Sequence, residues 1–244
     1  MDIRIYAINL DRSVDRWTIL QNKAELLGFP LIRVPGVDGT KTPPECRIDC
    51  DVRAFARNNG RTILPGEYGC YRSHLKALTA FVETGDAVGI IVEDDIELCD
   101  DLLARAGAAV EALPRAGVIK FASHRIVGFR RAATSKAGDE IGRTMHGPQG
   151  SGACYVVTRA GAQKLIETLR IMTYPWDVAL ERGWASGVPT YATRLNVTFP
   201  MPAVTTIGTS PVYRSVKFPW WKRFKTYGTR IVETTCRIVY ANLG

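Results

Sequence analysis

The chain has 244 residues, of which 46% are hydrophobic and 23% charged, with 32 Lys plus Arg against 24 Asp plus Glu and a net charge of +8. That length buries roughly 70% of the unfolded surface, so a sizeable core forms without a metal or disulfide staple. Wholesale disorder, a collagen-like repeat and a coiled coil are excluded as descriptions of the whole chain.

Ile3–Asn9 reads as a short apolar strand running into Leu10-Asp11-Arg12-Ser13, with Ser13 as a helix N-cap. Trp17, Leu20, Ala24 and Leu27 then recur at helical spacing, and Gly28 ends the helix. Leu31–Val37 is a second strand, which makes the opening 40 residues a parallel strand–helix–strand unit. Thr40–Leu64 is irregular, a loop with room for a short helix. Glu67–Thr84 is a helix with two apolar faces, hence buried. Val88–Val92 is a continuous apolar run, the signature of a central parallel strand, and it stops at Glu93-Asp94-Asp95. A helix capped by Asp100 or Asp101 follows, then a strand at Val118–Ala122. Arg125–Gly147 is polar, basic and irregular, a mobile loop by composition. Ala153–Val157 is a strand, Arg159–Ile171 a helix, Pro175 opens a short helix, and Tyr191–Phe199 is a late strand.

Six cysteines are spread out without a Cys-x-x-Cys, and the N-terminus lacks the apolar run of a signal peptide, which together predict reduced thiols in a cytoplasmic setting. Cys46 and Cys50 have no second pair of zinc ligands nearby. The uncharged run from Leu195 to Tyr213 holds three prolines and is no membrane span. From Arg214 to Arg237 there are seven basic residues against one acid, six of the eight net charges. Trp220, Phe224, Tyr227, Ile231 and Ile238 are interleaved at near-helical spacing, although Gly228 and the threonines weaken a continuous helix. Such a segment either packs its aromatics on the domain or lies on an anionic membrane surface; no nucleic-acid recognition motif accompanies it.

Five constellations carry chemistry. Glu93-Asp94-Asp95 leaves a buried strand at its carboxyl end, where open α/β sheets bind ligands, and adjacent acids call for a compensating charge such as an oxygen-ligated divalent cation; the plain alternative is a solvated loop. Asn9 to Arg16 sits at a strand end and helix start, a site that favours anions, with Arg12 and Arg16 on one side; the alternative pairs them with Asp11 and Asp15. Ser73 and His74 are polar residues in a buried helix, making internal hydrogen bonds or facing a ligand. Trp176-Asp177 offers an aromatic ring to stack on a sugar and a carboxylate to take a hydroxyl proton, or merely an acid in a first helical turn. Gly150-Ser151-Gly152 permits close backbone approach to a ligand, or a turn.

In their order along the chain, Tyr6–Arg16, Val34–Gly39, Gly66–His74, Val92–Asp95, Gly152–Thr158 and Pro175–Asp177 together resemble glycosyltransferase family 25 over Ile3–Ser215. The resemblance implies a GT-A-like α/β fold with a mostly parallel, Rossmann-like sheet flanked by helices (residues 1–215) and a basic C-terminal extension (216–244). It implies inverting transfer of a hexose, galactose or glucose, from a UDP-sugar to a lipopolysaccharide or related cell-surface glycan acceptor carried on a lipid, at the cytoplasmic face of the inner membrane. Asp95 and Glu93 would hold Mn2+ or Mg2+, Glu93 lying also toward the ribose. Asn9, Arg12, Arg16 and Asp94 would lie near the nucleotide and Asp38 near the uridine. Ser73, His74, Ser151 and Gly152 would line the donor side, and Asp177 would be the base. Trp176 stands where the motif usually has a smaller aliphatic residue. A metal-dependent nucleotidyltransferase and a non-catalytic glycan- or membrane-binding protein are the competing readings.

Overall fold

A computed structural model describes residues 2–201 and 210–243; residues 202–209 of the uncharged run lie outside them. Strand β1 (Arg4–Asn9) leads into helix α1 (Val14–Leu27), which buries Leu20 and Ala24 and ends at Gly28 in a left-handed conformation (φ 66°). Ser13 occupies the N-cap position without capping through its side chain. Strand β2 (Leu31–Pro35), a 3-10 turn at Gly39–Lys41 and helix α2 (Val52–Asn59) follow. The long helix α3 (Pro65–Thr84) buries both Tyr71 and Leu78 on one side and His74 and Phe81 on another, as its two apolar faces require. Then come β3 (Val88–Glu93), α4 (Leu102–Ala112), β4 (Val118–Lys120), β5 (Val127–Thr134), β6 (Glu140–His146) and β7 (Cys154–Thr158). Helices α5 (Arg159–Thr168), α6 (Trp176–Leu180) and α7 (Gly183–Ser186), strand β8 (Thr190–Thr193) and helices α8 (Ser210–Ser215) and α9 (Phe224–Asn242) complete the order.

The strands form one sheet in the order β2-β1-β3-β7-β4-β8-β6-β5. Alternate residues of the central strands feed opposite faces, as the two-residue period of a strand dictates. Tyr6, Ile8 and Ile91 pack with α3, α5 and α6, while Ile5, Ala7, Ile90 and Val92 pack with α1 and α4. Helices thus cover both faces of the sheet.

Two expectations are corrected. The sheet is mixed, not mostly parallel: β1–β2, β1–β3 and β4–β8 are parallel, whereas β3–β7, β4–β7, β6–β8 and β5–β6 are antiparallel. The apolar run of β7 is buried on both faces, and such a run carries no record of direction. The basic stretch 125–147 is no mobile loop but the β5–β6 hairpin, whose exposed outer strand explains its polar composition.

The C-terminal segment is also more regular than its composition suggests. Helix α9 is continuous for 19 residues. Thr229, Thr234 and Thr235 return their hydroxyls to carbonyls four residues back, at 2.8–3.1 Å, so they cost the helix little. The helix packs along β6 and is tied down by Arg182, whose Nε and Nη2 donate to Glu233 at 2.6 and 2.7 Å.

One backbone contact fixes the loop after β2 to α3. A Cβ at Gly69 would lie 2.4 Å from the Val37 carbonyl oxygen, and one at Gly39 would lie 1.8 Å from that of Pro65. Backbone atoms cannot yield as a side-chain tip would. Gly69→Ala is expected to cost about 1–3 kcal/mol and lower the melting temperature by about 2–10 °C. Gly107→Ala, whose added Cβ meets only Ile3 Cδ1 at 3.9 Å, is expected to leave stability unchanged or raise it by up to about 1 kcal/mol through helix propensity. Thermal denaturation of both variants checks the pair.

Candidate active site

Strands β1 and β3 lie side by side and parallel, with Ile8 opposite Glu93, so Asn9 and the three acids emerge together at the carboxyl edge. Asn9 is buried. Its Nδ2 donates to Asp94 Oδ2 at 2.6 Å and to the Ser13 carbonyl at 3.0 Å, while its Oδ1 accepts from Arg33 Nε and Nη2 at 2.9 and 2.7 Å. Arg16, in the first turn of α1, reaches Asp94 at 3.2 Å and Asp95 at 3.6 Å. Glu93 turns the other way and accepts from His74 Nε2 at 3.1 Å. An ionised carboxylate only accepts, which assigns the proton to Nε2; Nδ1 then accepts from the Tyr155 hydroxyl at 3.2 Å. Asp95 is the least compensated of the three. Burial first, and Glu93 second, push its carboxyl up to about 6.

A small cleft of about 80 Å³ opens on this edge, lined by Arg12, Arg16, Asp38, Ser73, His74 and the three acids. Most of the residues expected on the donor side therefore converge here, with different duties, whereas Ser151 and Gly152 line the neighbouring cleft instead. Arg12 pairs with Asp38 across the cleft and Arg33 with Asp11, so the alternative pairing of Arg12 and Arg16 with Asp11 and Asp15 does not form. Asp38 also accepts from the Thr40 hydroxyl at 2.6 Å and its amide at 3.1 Å. The hydroxyl, together with the amide and Arg12, holds the Asp38 carboxyl below the usual range. Ser73 accepts from the Val37 amide and donates to the Gly69 carbonyl, each at 2.7 Å; its hydroxyl is spent on fixing the loop that carries Asp38. Asn9 and Asp94 are likewise bonded to each other and act as supports.

On the other side of the acids lies a cleft of about 1110 Å³, which shares Cys70, Glu93 and Asp95 with the first and contains Ser151, Gly152 and Asp177. Asp177, in the first turn of α6, is half-buried and makes no hydrogen bond or ion pair among the described residues. Its neighbour differs from expectation. Trp176 is 2% exposed and stacked on His74, centroids 4.8 Å apart and planes 5° apart, with Tyr71 edge-on at 5.4 Å. The ring is therefore part of the core and offers no open stacking face. Gly152 is small for the same reason: a Cβ there would lie 2.7 Å from Trp176 Cδ1, so the close approach it permits is to the indole.

The loop 147–152 between the hairpin and β7 is pinned at several points, and Gly150 and Ser151 are both left-handed (φ 70° and 61°). Arg125 donates to the Gly147 and Pro148 carbonyls at 2.7 and 2.9 Å, and the Gln149 amide donates to Glu181 at 2.7 Å. Lys120, 1% exposed, donates to the Gly150 carbonyl at 2.8 Å; burial lowers its ammonium from the usual range. Glu181 is in turn held by Arg237 of α9 at 2.7 Å. Sequence reasoning missed Lys120, Glu181 and Arg237, since a lone charge in an apolar pattern carries no mark of its partner. It also missed Cys70, whose i,i+4 spacing from His74 puts both on one face of α3.

Two donor sets at the site suit a metal differently. Cys70 Sγ, His74 and Glu93 present atoms within 4.8 Å of one another, a mixed sulfur, nitrogen and oxygen set. Glu93 and Asp95 present oxygen alone, which suits hard cations such as Mn2+ and Mg2+. Burial first and the Glu93 charge second disfavour the ionised Asp95 carboxyl, and an oxygen-ligated cation beside it would favour that form. Cys46 and Cys50 gather no further ligands among the described residues.

Two clefts thus meet at the acids that end β3, and Asp177, without a partner among the described residues, lines the larger one. Residues 2–180 match the family described as glycosyltransferase family 25 (LPS biosynthesis protein), and the chain belongs to that family. It is also 30% identical over 96 residues to a "Glycosyltransferase 25 family member" from Anopheles gambiae, an alignment covering 38% of this chain and 16% of that relative.

The Glu181 side chain is fully buried and Arg237 is nearly so. Arg237→Met is expected to cost about 3–5 kcal/mol, because it strands a buried carboxylate, and to lower the melting temperature by about 6–20 °C. The double variant Glu181→Gln/Arg237→Met is expected to recover most of that loss, with thermal denaturation as the measurement.

Proposed function

We propose that the protein transfers a hexose, galactose or glucose, from a UDP-sugar to a lipopolysaccharide or related cell-surface glycan acceptor, inverting the anomeric centre with the assistance of Mn2+ or Mg2+. The observation that carries this reading is the pair of clefts sharing a wall of Glu93 and Asp95, with donor-type residues on one side and the partnerless Asp177 on the other. A GT-A-type placement of the nucleotide at the strand ends goes with it.

On this reading Asp38 takes the uridine side, and Arg12 and Arg16 face the diphosphate. A nucleotide does not fit in about 80 Å³, so Arg12, whose side chain is 49% exposed, swings off Asp38 to admit it. Asp95 and Glu93 would hold the cation, which supplies charge neutralisation of the departing diphosphate. His74 keeps Glu93 oriented from beneath. In the large cleft Asp177 removes the proton of the acceptor hydroxyl as its oxygen bonds to the anomeric carbon. The bond from that carbon to the phosphate oxygen breaks on the opposite face, and UDP leaves. A single displacement of this kind inverts the centre.

The test is thermal stability against UDP, GDP, CMP and free sugars, with and without manganese, because a ligand selective for the folded state raises its stability. A shift with UDP that requires manganese supports the reading; no shift with any nucleotide overturns it, and pyrophosphate as product replaces it with nucleotidyl transfer. Asp177→Asn is expected to keep the UDP shift while turnover of UDP-sugar falls about 10²–10⁴-fold.

Asp95→Asn separates function from stability. An acid whose carboxyl is raised to about 6 in the folded chain binds its proton more tightly folded than unfolded, so it destabilises the fold progressively as the pH rises above the ordinary carboxylate range and in full above about 6. At pH 7 without metal, Asp95→Asn is therefore expected to raise the melting temperature by a few degrees and to abolish the manganese-dependent UDP shift. The same melting-temperature difference is expected to shrink as the pH falls toward 4, which a pH series of melts reads directly.

A further inference from the structure

Helix α9 is amphipathic the wrong way round. Its polar side faces the protein: Arg237 is buried against Glu181, Glu233 is bound by Arg182, and Thr226 is 1% exposed. Its apolar side faces out. Trp220, Trp221, Phe224, Ile231, Val232 and Val239 are 50–70% exposed, and the helical period puts the last four on one outward stripe. The three aromatics ahead of and at the start of the helix form an edge-to-face cluster, with centroids 6.0 Å apart for Trp220–Trp221 and for Trp220–Phe224. A helix in water buries such a stripe; this one has its inner side already occupied by ion pairs.

Charge selects what covers the stripe. Lys222 and Lys225 are exposed around it and make no ion pair among the described residues. The single acid between residues 214 and 243, Glu233, points inward. A second copy of the same face would set cation against cation. No helix among the described residues is long and apolar enough to cross a membrane. We propose that the outward face of α9, led by Trp220, Trp221 and Phe224, is an in-plane anchor for an anionic lipid bilayer. The rings and aliphatic side chains enter the boundary between headgroups and acyl chains, where Trp is favoured, and the cations meet anionic headgroups.

The inward side of the same helix lines the large cleft through Arg230, Glu233, Thr234 and Arg237. The anchor therefore sets that cleft against the bilayer surface, where, on the functional reading above, a lipid-borne acceptor is presented.

The test is flotation of the full chain with unilamellar vesicles, and it needs neither nucleotide nor turnover, so its outcome is independent of the glycosyltransferase reading. The protein is expected to float with vesicles containing phosphatidylglycerol, to stay behind with pure phosphatidylcholine, and to be released as salt is raised. Lys222→Glu/Lys225→Glu is expected to lower partition about tenfold or more. Trp220→Ser/Phe224→Ser is expected to abolish binding with an unchanged melting temperature, since both side chains are solvent-facing. Wild-type protein that melts normally yet fails to float overturns the proposal. So does a concentration-dependent dimer in sedimentation that Ile231→Asn/Val232→Asn dissociates while vesicles capture nothing; that result assigns the stripe to self-association.

Discussion

Three consecutive carboxylates leave the end of a buried strand, and their mutual repulsion organises everything around them. The neighbouring elements separate the charges rather than cancel them. Asp94 is drawn toward β1 by Asn9, and Asn9 is itself oriented by Arg33 from β2. Glu93 is turned to the opposite side by His74, whose ring is clamped between Trp176 and the Tyr155 hydroxyl. Asp95 is left between them with only the partial company of Arg16 at 3.6 Å. The two clefts meet along this separation, with Glu93 and Asp95 in the wall they share and Asp94 facing the smaller one alone. The same arrangement makes the supports interdependent: loosening Trp176 frees His74, which frees Glu93.

The outline of this arrangement was legible in the sequence. Apolar runs ending in acids, a helix start rich in arginine and an acid at a short helix start are local patterns, and each lies where such a pattern places it. What was not legible is pairing across distance. Nothing local says that Arg12 meets Asp38, 26 residues on, or that the Ser73 hydroxyl serves a loop 36 residues away. Strand direction was hidden for a different reason. A strand buried on both faces shows the same apolar run whichever way it lies, so the reversal of β7 between β3 and β4 left no trace. The hairpin at 127–146 looked loop-like because its outer strand has solvent on both sides.

Trp176 shows a pattern whose meaning depends on context the sequence lacks. An aromatic beside a carboxylate is a reasonable sugar platform, yet here the ring fills the space between α3 and loop 147–152, with Gly152 kept small to receive it. The carboxylate next to it remains accessible. Core packing therefore aims Asp177, and the larger residue at position 176 has its explanation in the stack with His74. Helix α9 extends that logic to the other wall, which is held by buried ion pairs rather than by apolar packing, leaving its apolar side to the outside.

The contact of Gly39 with Pro65 and of Gly69 with Val37 has a mechanical consequence. Loop and helix touch backbone to backbone with no side chain between them to act as a cushion. Asp38, Ser73 and His74 consequently travel as one rigid jaw. Any widening of the small cleft that admits or releases a bulky molecule has to come from long side chains such as Arg12, so its walls differ in compliance as well as in charge.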